Sequence, residues 1–373
     1  MWTEAMSACA GGVTTVCDMP NTVPPTTSIE GLTEKVRLAE DIRDCDIRFF
    51  FGLTERKHLQ ELRELWTSNT PPLKHIRSRC CGAKIFLDHS TGDQRVDEGI
   101  LENVFAFCGD FGVPLVAHCE NAELNAMMAA QNTRVNVAAH SIIRPAESEE
   151  QAIGTVLALA EEYGTAIHIA HLSTERGLDI IRRAKVEGHP VTCEVAPHHL
   201  FFTTDDYEFC GTKIKVNPPI RSMKHRNALW AGISDGTIDC IASDHAPHTL
   251  EEKNIPNPLE APSGVPGVET TLPLLLTVAA GGWPHPNGDR PPYCTLTIED
   301  IVRLCFTNPN RIFNLGKRDG KKDKRGDSIE VDLEQEWVLT GKSLHAHCGW
   351  TPYEGWKIRG KVTRVQRGEP SAK

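Results

Sequence analysis

The chain lacks the features that would mark a secreted, membrane-spanning or nucleic-acid-binding protein. Its 13 cysteines form no Cys-x-x-Cys pair, and only Cys80 and Cys81 adjoin. That spacing argues against a disulfide framework or a thiolate zinc site and for the reduced thiols of a cytoplasmic protein. No charged-then-apolar leader opens the sequence. The longest apolar run, around 272–280, is about half of the ~20 residues a membrane-spanning helix needs. Positive charge is in deficit, with 40 Lys and Arg against 50 Asp and Glu, a net charge of −10. A pI near 5.9 leaves no electrostatic footprint for nucleic acid or an anionic membrane. No Gly-x-Gly-x-x-Gly follows any expected strand, so nothing supports a dinucleotide site.

What is present suits a large α/β fold. The 373 residues are 40% hydrophobic, enough for a sizeable core, and exceed one small domain. Short apolar, β-branched runs alternate with amphipathic stretches. Strands are expected at 13–17, 46–53, 82–87, 113–118, 166–171, 190–195 and 238–242. Helices are expected at 29–43, 55–67, 97–110, 147–163, 175–186 and 268–280, and over a stretch ending near 234. This alternation predicts parallel strands with right-handed helical crossovers. Seven strands are one short of a (β/α)8 barrel. The helix-like segment 1–10 has no strand ahead of it, so the missing unit is expected upstream of Met1. Residues 298–315 read as two short helices meeting at Asn308–Pro309. From Lys317 a charged turn, KRDGKKDKRGD, leads into short β-like pieces. The expected organisation is a barrel over 1–316 and, over 317–373, the remnant of a small β appendage.

Chemistry gathers at the strand ends. The 236–248 stretch, GTIDCIASDHAPH, runs from an apolar strand straight into Asp244, His245 and His248. An Asp helix cap would account for one such residue. The pattern recurs, however: His118, His171 and the pair His198–His199 also end strands, and Lys84 sits inside an apolar one. Parallel barrels gather their reactive groups at this end, and neutral imidazoles with a carboxylate form a ligand set for catalytic zinc or a similar ion. Lys84 would be costly to bury as a free cation. It would pair with a barrel carboxylate or, if carbamylated by CO2, bridge two metals as an anion.

The motifs DMPNTVPPT, GAKIFLDHSTG, VAHCE, HIAHLST, EVAPHHL, NPPIR, IDCIASDHAPHTLEEK and TNPNRIF, in that order, resemble those of dihydroorotase, of the amidohydrolase superfamily. The likeness runs from about Ala10 to Gly360. It implies a TIM-type barrel and a binuclear zinc site converting dihydroorotate and N-carbamoyl-aspartate into one another, a step of pyrimidine synthesis. By the same resemblance Lys84 would be the carbamylated bridge between two Zn2+, and His118 and His171 would hold the second metal. Asp244 would ligate the first metal and carry the proton, acting as general base and then general acid. Asn21 and His248 would hold the substrate carboxylate, and Asn217 with the Ser263–Gly264 backbone the ring amides. His198, His199 and His89 receive no role. A small-molecule substrate is implied, with no nucleic-acid or membrane partner, and a homodimer is an expectation by resemblance.

The sequence departs from the family at one point. The family's first strand carries His-x-His and an Arg, and no such segment precedes the MPNT motif here. The chain's only His-x-His, His345-Ala346-His347, lies in the tail. A chain short of this strand is expected to be poorly active or inactive. Two other readings stand beside the enzyme: an inactive dihydroorotase-like scaffold, and an allantoinase-type cyclic amidase. Asn217 and the 246–253 segment favour dihydroorotase over the latter.

Overall fold

The computed structural model describes residues 1–89, 94–317 and 326–368. Seven parallel strands form one sheet in sequence order: β1 (Thr15–Asp18), β2 (Asp46–Gly52), β3 (Cys80–Phe86), β4 (Leu115–His118), β5 (Ile167–Ile169), β6 (Val191–Val195) and β7 (Cys240–Ile241). All seven lie where the periodicity predicts, mostly as shorter segments. β1 and β7 are the two edges. A further pair, β8 (Ser328–Val338) and β9 (Lys357–Gln366), forms an antiparallel ribbon. It is anchored on the Thr271–Ala279 helix, where the Arg359 amide donates to Thr277 Oγ1 at 2.9 Å.

Both faces of the sheet are covered, which is why the strands read as apolar runs rather than alternating ones. In β2, Phe49 and Phe51 enter the large cluster under the helices. Phe50 between them faces a small inner cluster of Cys81, Val116, Ala170 and Phe313. Phe313, from the TNPNRIF motif, fills the barrel interior, with its ring 5.3 Å from Phe50 and 5.1 Å from His168. Gly82 stands next to the point where the β2–β3 register shifts. Its φ is +151°, and a Cβ there would come within 2.3 Å of the Pro114 carbonyl oxygen, so only glycine fits. Past this bulge Lys84 pairs level with Val116 and Phe86 with His118.

Four of the covering helices begin on side-chain caps. Ser28, Asp97, Asn121 and Thr174 each accept a backbone N–H of the first turn. Sequence periodicity misses several short helices, among them Pro71–Ser78, Ala139–Ile143 and Pro197–Phe201. Each of these three is eight residues or fewer and Pro-led or Pro-flanked, too short for the helical repeat to show. The 298–315 stretch holds two short helices joined by a π-helical turn, Arg303–Thr307. Most of the charged turn, 318–325, and Ser90–Asp93 of the HSTG segment lie outside the described residues.

Candidate active site

The carboxyl ends of the strands deliver the predicted groups. His118 is the last residue of β4, His171 lies two residues beyond β5, and Asp244 three beyond β7. His171 and Asp244 have φ of 36° and 43°. Non-glycine residues held there cost on the order of 1–3 kcal/mol each, and such strain gathers at functional sites.

His118 Nδ1 and His171 Nε2 face one another at 3.0 Å, both rings almost completely buried. His118 Nε2 meets Glu120 Oε2 at 2.8 Å. A carboxylate accepts, so His118 carries its proton on Nε2 and turns a lone pair on Nδ1 toward His171. Burial, with Lys84 beside both rings, keeps the two imidazoles below their ordinary pKa and therefore neutral, despite Glu120. Glu120 is fully buried and gripped by Arg144 through two bonds, 2.9 Å from Nε and 2.7 Å from Nη2. Arg144 also reaches Asp88 at 2.8 Å.

Lys84 is 2% exposed, and burial lowers its pKa to about 8 against the pull of Glu194, Cys119 and Asp244. The same burial, reinforced by Glu194, raises Asp244 to about 7, with Lys84 opposing. About 30% of the Asp244 side chain stays accessible, so burial weighs less on it than on Lys84. His198 Nε2 lies 3.6 Å from Asp244 Oδ2, beyond hydrogen-bond reach.

Three further segments meet beside this mouth. Lys253 Nζ donates to the carbonyls of Lys215 at 3.1 Å, Pro262 at 2.9 Å and Gly264 at 2.9 Å. This ties together the segments bearing Asn217, Ser263–Gly264 and His248. Gly264 (φ +142°) packs so closely that a Cβ would lie 2.6 Å from the Ala246 carbonyl oxygen and 3.2 Å from the His248 ring. Asn217 Oδ1 and Val216 O both lie 2.9 Å from His140 Nε2, which must donate to them. His199 Nε2 donates to Pro218 O at 3.0 Å. Asn21 is half-buried, three residues past β1. The amide of His89 bonds to Asp88, and its carbonyl oxygen lies 3.4 Å from Arg144 Nη2. Sequence reading overlooks Glu120, Arg144, His140, Lys215 and Lys253. The legible signal for the first was a carboxylate two residues after a strand-terminal histidine.

Among the described residues no group of three or more His, Cys, Asp and Glu is assembled to hold a metal ion. One position nevertheless fits a cation. Two Zn–N bonds of about 2.0–2.1 Å at a tetrahedral angle separate the nitrogens by about 3.4 Å, close to the His118–His171 gap. His171 Nδ1 is buried without a partner, so its proton can sit there and leave Nε2 to a metal. Glu120 is the carboxylate that typically orients a ligating imidazole.

No family model matches the chain. A dihydroorotase from Halobacterium salinarum is 36% identical over 350 residues, covering 94% of this chain and 75% of that protein. The chain belongs to the dihydroorotase family. These enzymes are metal-dependent hydrolases of cyclic amides within the amidohydrolase superfamily. The dihydroorotase of Methanosarcina mazei is 34% identical over 379 residues, 99% of this chain and 78% of that one. The multifunctional protein CAD of Squalus acanthias is 34% identical over 370 residues, which are 97% of this chain but only 13% of CAD. Among solved structures, L-hydantoinase from Arthrobacter aurescens superposes with a TM-score of 0.86 at 28% identity, over 100% of this chain and 81% of that one. The amidohydrolase TIM-barrel class expected from the motifs therefore holds, with seven barrel strands among the described residues. No helix among them is long and apolar enough to cross a membrane.

Proposed function

We propose that the chain carries dihydroorotase chemistry, the reversible hydrolysis of dihydroorotate to N-carbamoyl-aspartate in pyrimidine synthesis. The observation that carries the reading is the pair of neutral, buried imidazole nitrogens of His118 and His171, held 3.0 Å apart by Glu120 on one side. The relatives named dihydroorotase support the choice of substrate. His118, His171 and a carbamylated Lys84 would hold one zinc ion; Asp244 would belong to a second site, which without a His-x-His ahead of the MPNT motif is not expected to retain its ion. Bound there, divalent metal would polarise the amide carbonyl and lower the pKa of water.

The remaining roles fall to the chain's own side chains. Asp244, with its pKa near 7, is suited to take a proton from the attacking water and return it to the departing ring nitrogen. Asn21 and His248 would hold the substrate carboxylate. His140 holds the Asn217 side chain by its oxygen, which would leave its amide NH2 group to donate to a ring carbonyl. The Ser263–Gly264 backbone would meet the other ring amide.

The test is hydrolysis of dihydroorotate by the purified chain with zinc and bicarbonate, beside hydantoin and allantoin. Turnover of dihydroorotate that is lost in Asp244→Asn supports the proposal. Preference for allantoin would move the chain to another cyclic amidase. Absence of turnover with every substrate would favour the scaffold reading.

A further inference from the structure

The tail's His345-Ala346-His347 has no part in the reaction proposed above, yet the fold brings it to the far side of the Asp244 loop. Glu4, on the Trp2–Ala10 helix, accepts from His245 Nε2 at 2.6 Å through one carboxylate oxygen and from the His347 amide at 3.1 Å through the other. His245 Nδ1 in turn accepts the amides of Gly267 at 3.0 Å and Val268 at 3.2 Å. The proton of His245 is thus on Nε2, and the ring is bonded at both nitrogens.

A second carboxylate repeats the arrangement. Buried Glu269 accepts from Ser7 Oγ at 3.0 Å, from the His345 amide at 2.7 Å and from His345 Nδ1 at 2.8 Å. Beyond it, Trp350 Nε1 donates to the His248 carbonyl at 2.7 Å, with the indole 4% exposed. The close fit extends to the backbone. Gly11 packs against residues 268–269 so tightly that a Cβ would lie 2.6 Å from Glu269 Cα.

The first helix and the tail therefore grip the segment running from strained Asp244 to His248 at both ends. β7 is an edge strand of only two residues, Cys240 and Ile241. The ladder past Ile241 gives that segment little support, and a single bridge, His245 to Val265, continues it. We propose that Glu4 and Trp350 are positioning residues of the active site: Glu4 holds the Asp244 end through His245, and Trp350 holds the His248 end. The catalytic consequence rests on the dihydroorotase reading; the mechanical one does not.

The test compares Glu4→Ala, Glu4→Gln and Trp350→Phe with the parent chain by amide hydrogen exchange and steady-state kinetics. Loss of the Glu4 carboxylate, which accepts the partly buried bond from His245 and an exposed one from the His347 amide, should raise local exchange over 243–248 in Glu4→Ala by about tenfold, with the β2–β4 amides unchanged. Glu4→Gln, whose carbonyl oxygen can still accept from His245, should restore most of the protection. Trp350→Phe keeps an aromatic side chain but loses the indole N–H donor, so exchange should rise around His248. If the chain turns over dihydroorotate, Trp350→Phe should raise KM more than it lowers kcat, while Glu4→Ala should lower kcat.

Unchanged exchange at 243–248 in Glu4→Ala would overturn the proposal. So would an even rise across the barrel, which would show a general loss of stability instead. A chain that turns over no dihydroorotate would favour the scaffold reading over the enzyme while leaving the exchange result to decide this one.

Discussion

Replacing Arg144 by Met should be among the most damaging single changes near the site, although Arg144 touches no proposed ligand directly. Its guanidinium holds buried Glu120 through two bonds and Asp88 through a third. Removing one partner of a buried ion pair costs about 3–5 kcal/mol, because the other charge stays buried and unmatched. Here two carboxylates lose a shared partner. An unfolding entropy of about 2.1 cal/mol/K per residue over the chain is roughly 0.8 kcal/mol/K, so Tm should fall by about 4–6 °C. Glu120 has its pKa held well below the usual carboxylate range by Arg144 and His118, against burial. A depressed folded pKa contributes stability that is complete above the ordinary pKa and lost as pH falls. The deficit of the variant should therefore be constant from about pH 6 to 8 and shrink on acidification.

Glu120 also sets the proton position on His118, so zinc affinity should drop by about 10–100-fold. Differential scanning calorimetry and zinc titration check the two effects. The double variant Arg144→Met/Glu120→Gln should recover at least about 1 kcal/mol relative to the sum of the single changes. A Tm within 1 °C of the parent, or strict additivity, would refute the reasoning at about the precision of such cycles.

Three further outcomes follow from the geometry. Lys84→Met should raise the Tm of the metal-free chain in CO2-free buffer at pH 7, since a folded pKa near 8 against 10.5 is a penalty on the order of 3 kcal/mol, present at low pH and relieved as pH rises from about 8 to 10.5. The same variant should lose the stabilisation that zinc with bicarbonate gives the parent, and a parent chain indifferent to bicarbonate would count against a carbamate. Gly264→Ala, at φ +142° with no room for a Cβ, should cost about 2 kcal/mol and raise KM, read by thermal melts and initial rates. His171→Asn should abolish zinc retention after dialysis while leaving the far-ultraviolet circular dichroism spectrum unchanged.

The fold was legible because parallel strands buried on both faces announce themselves as apolar runs. The strand-terminal His118, His171 and Asp244 were legible because a polar residue directly after such a run is carried to the mouth of the barrel, where its neighbours are the ends of the other strands. The groups that hold them were not. Arg144 and Glu120 are 24 residues apart in sequence, and nothing local links them. Lys253 looks like an exposed residue of the LEEK turn, yet its ammonium is buried among three carbonyls. The His-x-His of the tail, which receives no ligand role from the sequence, forms a hydrogen-bonding strap that no local pattern shows, since its partners Glu4 and Glu269 come from distant segments. Periodicity reports what a segment buries, whereas such contacts depend on closure of the whole sheet.

Zinc content per chain, measured by elemental analysis of the purified 373-residue polypeptide after exhaustive dialysis, tests the central claim most directly. The donor set at His118, His171 and Lys84 predicts one zinc or less per chain, and none in the His118→Asn/His171→Asn variant. Two tightly held zinc ions in the parent, or one that survives loss of both imidazoles, would place the metal chemistry on other residues and contradict the account.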